Sequence, residues 1–188
     1  GVGKTDMGIR LAQHYQTEII SADSRQVYTE LSIGVGRPTP SQLNAVTHHL
    51  IGHISIHQDY SVAHYTNEAL HILDELFLHH DMVILTGGTG LYVKVFMEGF
   101  DDIPEVEEGV TERWTALWKE QGIESLLKSL KVLDPAYLDI VDKANPRRII
   151  RALAVSESTG KPFSSFLKGD PVKRPFNILP IVLTLPRE

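Results

Sequence analysis

Gly1-Val2-Gly3-Lys4-Thr5 opens the chain with the residue types that hold phosphate. A phosphate-binding loop runs Gly, four residues, then Gly-Lys-Ser/Thr. Gly3, Lys4 and Thr5 fill its last places, and Gly1 and Val2 fill two of the variable ones. The opening glycine, two more residues and the strand that leads into the loop would precede Gly1, so the chain reads as truncated inside its own site. Glycines let backbone N–H groups turn inward on an anion. The helix that follows aims the positive end of its dipole at the same point. Lys4 adds a mobile charge, and the Thr5 hydroxyl can ligate Mg²⁺. A glycine-rich helix start with no ligand is the plainer alternative. The helical spacing of Met7, Leu11, Ala12 and Tyr15 supplies the required helix and favours the phosphate site.

Glu18-Ile19-Ile20-Ser21 reads as a strand that runs into Ala22-Asp23-Ser24-Arg25-Gln26. Residues just past the C-terminal end of a parallel strand face the ligand crevice. Asp23 and Thr5 can therefore approach one another. A helix N-cap is the competing role for Asp23. Met82 to Thr86 reads as a second strand, buried on both faces because it does not alternate. Gly87-Gly88-Thr89-Gly90-Leu91-Tyr92 follows it directly. The glycines permit close backbone approach to an anion, and Thr89 offers it a hydroxyl. A tight turn with Thr89 as a helix cap accounts for the same residues. The three turns are expected to share one rim of one sheet.

The elements that must position them are bounded by composition. The chain has 188 residues, 42% of them hydrophobic, enough for one core and a small satellite. It has no cysteine, which excludes disulfides and thiolate metal sites. No apolar run approaches a membrane span and no signal-peptide pattern is present, so the expected setting is cytoplasmic, with no membrane. A net charge of −6 argues against a general nucleic-acid coat protein but leaves room for a local basic patch. Residues 31–63, with Gly34, Gly36, Pro38 and Pro40, are expected to be mostly loop. His48, His49, His53 and His57 lie there without a carboxylate or cysteine at metal-ligand spacing, so they read as loop-packing or solvated residues. Tyr65 to Phe77 has helical periodicity.

The acidic run Asp101 to Glu108 marks a boundary. Residues 1–103 are expected to form the first part of the core, 104–168 a helical insert, and 169–188 a return strand of the core. The insert should hold helices Val110–Glu120, Ile123–Val132, Pro135–Val141 and Pro146–Thr159, with Trp114, Leu117, Trp118, Leu126, Leu127 and Leu130 in a core of their own. Arg147, Arg148 and Arg151, with Lys143, make the densest basic patch. It can meet phosphates or simply balance nearby acids. Ile178 to Leu185 reads as the returning strand, starting near or after Pro180.

One ordered series runs through these segments. It comprises Gly3-Lys4-Thr5, Ile19 to Tyr28, Ile33-Gly34, Pro38-Thr39 and His48-His49-Leu50. Gly87 to Tyr92, Asn145 to Leu153 and Leu183 to Glu188 continue it. The series closely resembles the bacterial tRNA dimethylallyltransferases over nearly the whole chain. The resemblance implies a P-loop NTPase-like parallel sheet with a helical insert, an α/β fold. It implies transfer of a dimethylallyl group from dimethylallyl diphosphate to the exocyclic 6-amino group of the adenosine next to the tRNA anticodon. Diphosphate would leave, held by Gly1, Val2, Gly3, Lys4, Thr5 and Mg²⁺. Asp23 would be the general base, and Thr89 would bond near the bridging oxygen. The target base is flipped out in this family, so Asp23, Ser24, Arg25, Gln26 and Thr89 would meet the adenine. Thr111, Arg113, Arg147, Arg148, Ile149, Ile150 and Arg151 would contact the anticodon stem-loop. The protein would be a monomer.

The chain departs from the family pattern in places. Arg37 stands where lysine is usual, which keeps the charge and changes the geometry. Thr111 stands where an arginine is common, with Arg113 as its substitute. A later catalytic arginine and RNA-binding helices would fall beyond Glu188, which leaves the activity of the chain alone in question. The chief alternative is a P-loop small-molecule or nucleotide kinase, which would bind ATP and place a lid arginine on its γ-phosphate. An adenylate isopentenyltransferase would have no use for residues 107–160, and a non-catalytic tRNA-binding remnant would need no base.

Overall fold

The computed structural model describes residues 2–101, 103–167 and 171–184. Its contacts separate Gly1–Gly99 with Pro171–Glu188 from Phe100–Asp170. The segment expected as an insert, 104–168, lies within the second unit.

In the first unit, strands β1 (Ile19–Ser21), β2 (His48–His49) and β3 (Ile84–Thr86) form a parallel sheet in the order β2-β1-β3. Ile19 aligns with His48 on one side and Ile84 on the other, and Ser21 aligns with Thr86. Every residue of β1 is buried, which is why this strand shows no polar alternation. Helix α1 (Lys4–Tyr15) buries Gly8, Ile9 and Ala12; of the predicted face Met7, Leu11, Ala12 and Tyr15 only Ala12 is buried, and Tyr15 is 47% exposed. Gly8 explains the rotation. A Cβ there would lie 3.1 Å from Thr86 Cγ2, so the bare glycine lets the helix settle on β3.

Residues 31–63 hold more than loop. Helix α2 (Pro40–Ala45) starts with Pro40 in its first turn and a capping box between Thr39 and Gln42. Thr39-Pro40-Ser41-Gln42 is the sequence signature of such a start. Two of the four histidines find carboxylates: His49 Nε2 lies 2.6 Å from Glu18 Oε2, and His53 Nε2 lies 3.0 Å from Glu68 Oε2.

Helices α3 (Val62–Leu76) and α4 (Gly90–Glu98) pack together through Tyr65 and Tyr92, whose rings stack at 4.0 Å and 15°. Ile20, Ala22, Leu50, Ala69, Leu73 and Phe96 complete that core, each large side chain contributing about 1.5–3 kcal/mol by leaving water. The return segment comes back to this unit but not as a strand. The Val172 N–H donates to the Glu98 carbonyl at 2.7 Å. The Arg174 guanidinium donates to the last carbonyls of α4, on Phe96 at 2.9 Å and Val95 at 3.2 Å. Residues 178–184 carry no strand hydrogen bonds, and Leu179 and Val182 are each 82% exposed. A strand needs a hydrogen-bonded neighbour, and the edge of β3 away from β1 meets none among the described residues. Leu185 to Glu188, the rest of the predicted strand and motif, lie outside the described residues.

The second unit is helical: α5 (Val110–Gln121), α6 (Ile123–Leu133), α7 (Pro135–Ile140) and α8 (Pro146–Thr159). Leu126, Leu130, Ile149, Leu153 and Val155 are buried at its centre, with Trp114, Leu117, Trp118 and Leu127 packed around them. The fully buried Asp134 carboxylate accepts from Tyr137 N at 2.9 Å, capping α7. It also accepts from Ser164 N at 2.6 Å and Ser164 Oγ at 2.7 Å. Buried carboxylates need such donors. Among the described residues no helix is long and apolar enough to cross a membrane.

Candidate active site

Gly8, one turn into α1, touches the residue that ends β3. The first turn of α1 begins at Lys4, four residues before Gly8. Gly3 precedes that turn with φ +82, a conformation that suits glycine. Val2 and Lys4 are exposed and Thr5 is half-buried. Gly1 lies outside the described residues. Asp6 Oδ1 accepts from Gln42 Nε2 at 2.7 Å and ties α2 to this turn.

At the end of β1, Asp23 Oδ1 accepts from Arg25 N at 3.0 Å and Gln26 N at 3.4 Å. The capping role is thus filled by one oxygen, and the cap closes a turn, not an α-helix. Oδ2 faces the neighbouring turn, where a Cβ on Gly88 would come within 3.0 Å of it. Gly87 is tighter still: a Cβ there would lie 2.1 Å from the Ala22 carbonyl oxygen, closer than real contacts allow. The Ala22 N–H donates to Thr86 O at 2.8 Å and Thr89 N donates to Ala22 O at 3.1 Å, which joins the two turns through backbone.

Thr89 joins them again through its side chain. Its Oγ1 accepts from Ser24 N at 2.8 Å and donates to Ser24 Oγ at 3.1 Å. It stands at the N-cap position of α4, as the alternative reading had it, but its side chain makes no cap bond there. Asp23, Ser24 and Thr89 therefore form one cluster over the ends of β1 and β3. Beneath it the Tyr92 phenol is raised above its ordinary pKa, first by burial and then by the charges of Tyr28 and Asp23.

Gln26 carries a network that sequence reasoning missed. Its Nε2 donates to Val35 O at 3.2 Å and Gly36 O at 3.0 Å, and its Oε1 accepts from Ser21 Oγ at 3.3 Å. No local pattern announces it, because the acceptors are backbone carbonyls of a distant loop. Arg25 beside it is exposed.

In the helical unit, Asn145 caps α8 by accepting from Arg148 N at 3.3 Å, and Pro146 follows in the first turn. Arg147, Arg148 and Arg151 are exposed, and no ion pair involves them among the described residues. Ile149 and Ile150 depart from expectation: at 0% and 5% exposure they pack into the core of the unit, so their side chains are not available to RNA. A helix face of this width cannot be wet and buried at once, and the isoleucines take the buried side. Arg113 is ion-paired with Glu157. Thr111 is exposed, and its carbonyl accepts from Thr115 Oγ1 at 2.8 Å.

Among the described residues no three His, Cys, Asp or Glu side chains group as a metal site. Mg²⁺ beside a diphosphate takes most of its ligands from phosphate and water. A single hard oxygen on the first turn of α1, the Thr5 hydroxyl, is a donor of the type it uses, so the residues fit that ion.

Residues 26–188 match the family described as IPP transferase. The tRNA dimethylallyltransferase 1 of Bacteroides thetaiotaomicron is 46% identical over 188 residues, covering 100% of this chain and 61% of that protein. The tRNA dimethylallyltransferase of Christiangramia forsetii is 46% identical over 187 residues, covering 100% of this chain and 62% of its own length. The chain thus spans about three-fifths of the curated relatives it matches. Among solved structures, the full-length tRNA isopentenylpyrophosphate transferase of Bacillus halodurans superposes with a TM-score of 0.53 at 34% identity, over 86% of this chain and 54% of that one. A eukaryotic dimethylallyltransferase acting on tRNA shares the fold, with a TM-score of 0.69 at 24% identity over 88% of this chain and 41% of its own.

Proposed function

Because the chain belongs to the IPP transferase family, we propose that it supplies the diphosphate-binding and base-binding part of a tRNA dimethylallyltransferase. The reaction moves the dimethylallyl group of dimethylallyl diphosphate to the exocyclic 6-amino nitrogen of the adenosine beside the anticodon. The new bond joins that nitrogen to the allylic carbon. The carbon–oxygen bond breaks with its electron pair passing to diphosphate, and the amine proton passes to Asp23.

An exocyclic aromatic amine is a weak nucleophile and must lose its proton as it attacks. Asp23 suits that task because Oδ1 is held by two backbone donors while Oδ2 stays available. The departing oxygen gathers charge. The Thr89 hydroxyl, swung from Ser24 Oγ, is a donor for it, and the Ser24 N–H holds the oxygen lone pair that fixes the swing. Lys4 and the backbone amides of the first turn of α1 receive the phosphates. Mg²⁺, held by Thr5 and the diphosphate, would neutralise the leaving group. The observation that carries this reading is the Asp23–Ser24–Thr89 cluster, which sets a free carboxylate oxygen and a reorientable hydroxyl at one rim.

Arg147, Arg148 and Arg151 are assigned to phosphates of the anticodon stem-loop, with residues 104–168 as the insert that carries them. Thr111 and Arg113 belong to the same surface assignment, Arg113 by exchanging Glu157 for phosphate. We place the protein in the cytoplasm as a monomer. The kinase alternative has no support from the relatives above.

Incubating the gene product that carries this chain with alkyl-labelled dimethylallyl diphosphate and an unmodified tRNA tests the reaction. Label in RNA at the adenosine beside the anticodon is expected. ATP hydrolysis with no label transfer would overturn the proposal in favour of a kinase.

A further inference from the structure

Arg37 takes no part in the cluster, yet it is seated with care. A Cβ on Gly52 would fall 1.8 Å from its Nη2 and 2.9 Å from its Cζ, so the guanidinium occupies the space where a side chain at 52 would be. Nη2 donates to the Tyr28 carbonyl at 3.4 Å, and Nε is buried with no hydrogen-bond partner. No carboxylate pairs with it among the described residues. The backbone under it is a short parallel ribbon. Gly52 N donates to Gln26 O at 2.8 Å, His53 N donates to Val27 O at 2.9 Å, and Tyr28 bridges Ile54.

The loop that carries Arg37 is the one that holds Gln26. Val35 and Gly36 give their carbonyls to the Gln26 amide, and Gly34 and Gly36 take φ of +76 and +62. Two glycines in so short a span leave the loop little stiffness of its own. Its position depends on ties at its ends, and Arg37 is one of them. We propose that Arg37 is a positioning residue for the prenyl transfer. By pinning the 34–37 loop to the Tyr28–Gly52 ribbon it keeps Gln26 clamped, and with it the turn that presents Asp23. This inference rests on the reading of the Asp23–Gln26 turn given above. The arginine fork fills the space beside Gly52 and donates to the Tyr28 carbonyl, whereas lysine keeps a donor without the plane.

Arg37→Ala, Arg37→Lys and Gly52→Ala in the gene product test it by steady-state label transfer. Arg37→Ala is expected to lower kcat by about tenfold or more, with KM for dimethylallyl diphosphate within about twofold of wild type. Arg37→Lys, which keeps a donor but not the plane, should recover only part of the loss. Gly52→Ala keeps the arginine but fills its seat and strains a backbone held at φ +58, so it should lose at least as much. The double variant should be no worse than Gly52→Ala alone, because the arginine has already lost its seat there. An unchanged kcat in Arg37→Ala overturns the inference. So does a variant whose only defect is weaker tRNA binding with a shallower salt dependence, which would make Arg37 a phosphate contact. A wild type that transfers no label sinks the reading of the site; an active wild type indifferent to Arg37→Ala sinks this inference alone.

Discussion

Asp23 divides its carboxylate between two tasks, and an isosteric change separates them. Asp23→Asn can keep an acceptor at Oδ1 for Arg25 N and Gln26 N while replacing the free oxygen with an amide. The turn should survive and the base should not. Turnover is expected to fall by roughly a hundredfold, as for loss of a general base, while tRNA binding in a gel-shift titration stays near wild type. Unchanged turnover would remove Asp23 from the reaction. The place of Asp23 just past β1 was legible because Ile19 to Ser21 reads as a strand. The partner oxygens of Gln26 and the glycine under Arg37 were not. Both contacts join distant segments, and in each the far side is plain backbone, which leaves no mark on residue type.

The elements were legible where local chemistry decides them. The Asn145–Pro146 start and the Gly160 end of α8 are written in cap residues, and the helix runs over the predicted Pro146–Thr159 span. The Thr39–Gln42 capping box was equally readable but was obscured by the glycines and prolines around it. Residues 178–184 show the limit of such reading, since an apolar run specifies a strand only when another strand stands beside it. Close approach between elements is also silent until two backbones are side by side. Gly87 and Gly90 give a paired measurement of that. A methyl at Gly87 meets the Ala22 carbonyl, whereas a Cβ at Gly90 meets nothing within 4 Å. Gly87→Ala should cost about 1–3 kcal/mol by overpacking. The unfolding midpoint should drop by about 2–4 °C per kcal/mol. Gly90→Ala, at the first residue of α4, should leave the midpoint level or raise it. Equal midpoints for the two variants would mean that the β1 and β3 turns do not touch.

Over the whole molecule, a chain of net charge −6 offers RNA a favourable surface only where cations gather. Arg147, Arg148 and Arg151 are exposed on one short stretch of α8, whereas Arg113 already has Glu157. Arg147→Ala with Arg151→Ala should weaken tRNA binding. The slope of log affinity against log salt should become shallower by about 0.7–0.9 for each phosphate that the variant no longer neutralises. A slope identical to wild type would place the RNA elsewhere.

The start of α8 has one further consequence. Its first turn carries Arg147 and Arg148 and no acid, so two cations sit at the positive pole of the helix. The resting protein therefore keeps a mild internal frustration that an arriving polyanion relieves. At those two positions thermal robustness and attachment pull in opposite directions: an acidic replacement would settle the helix and loosen the grip.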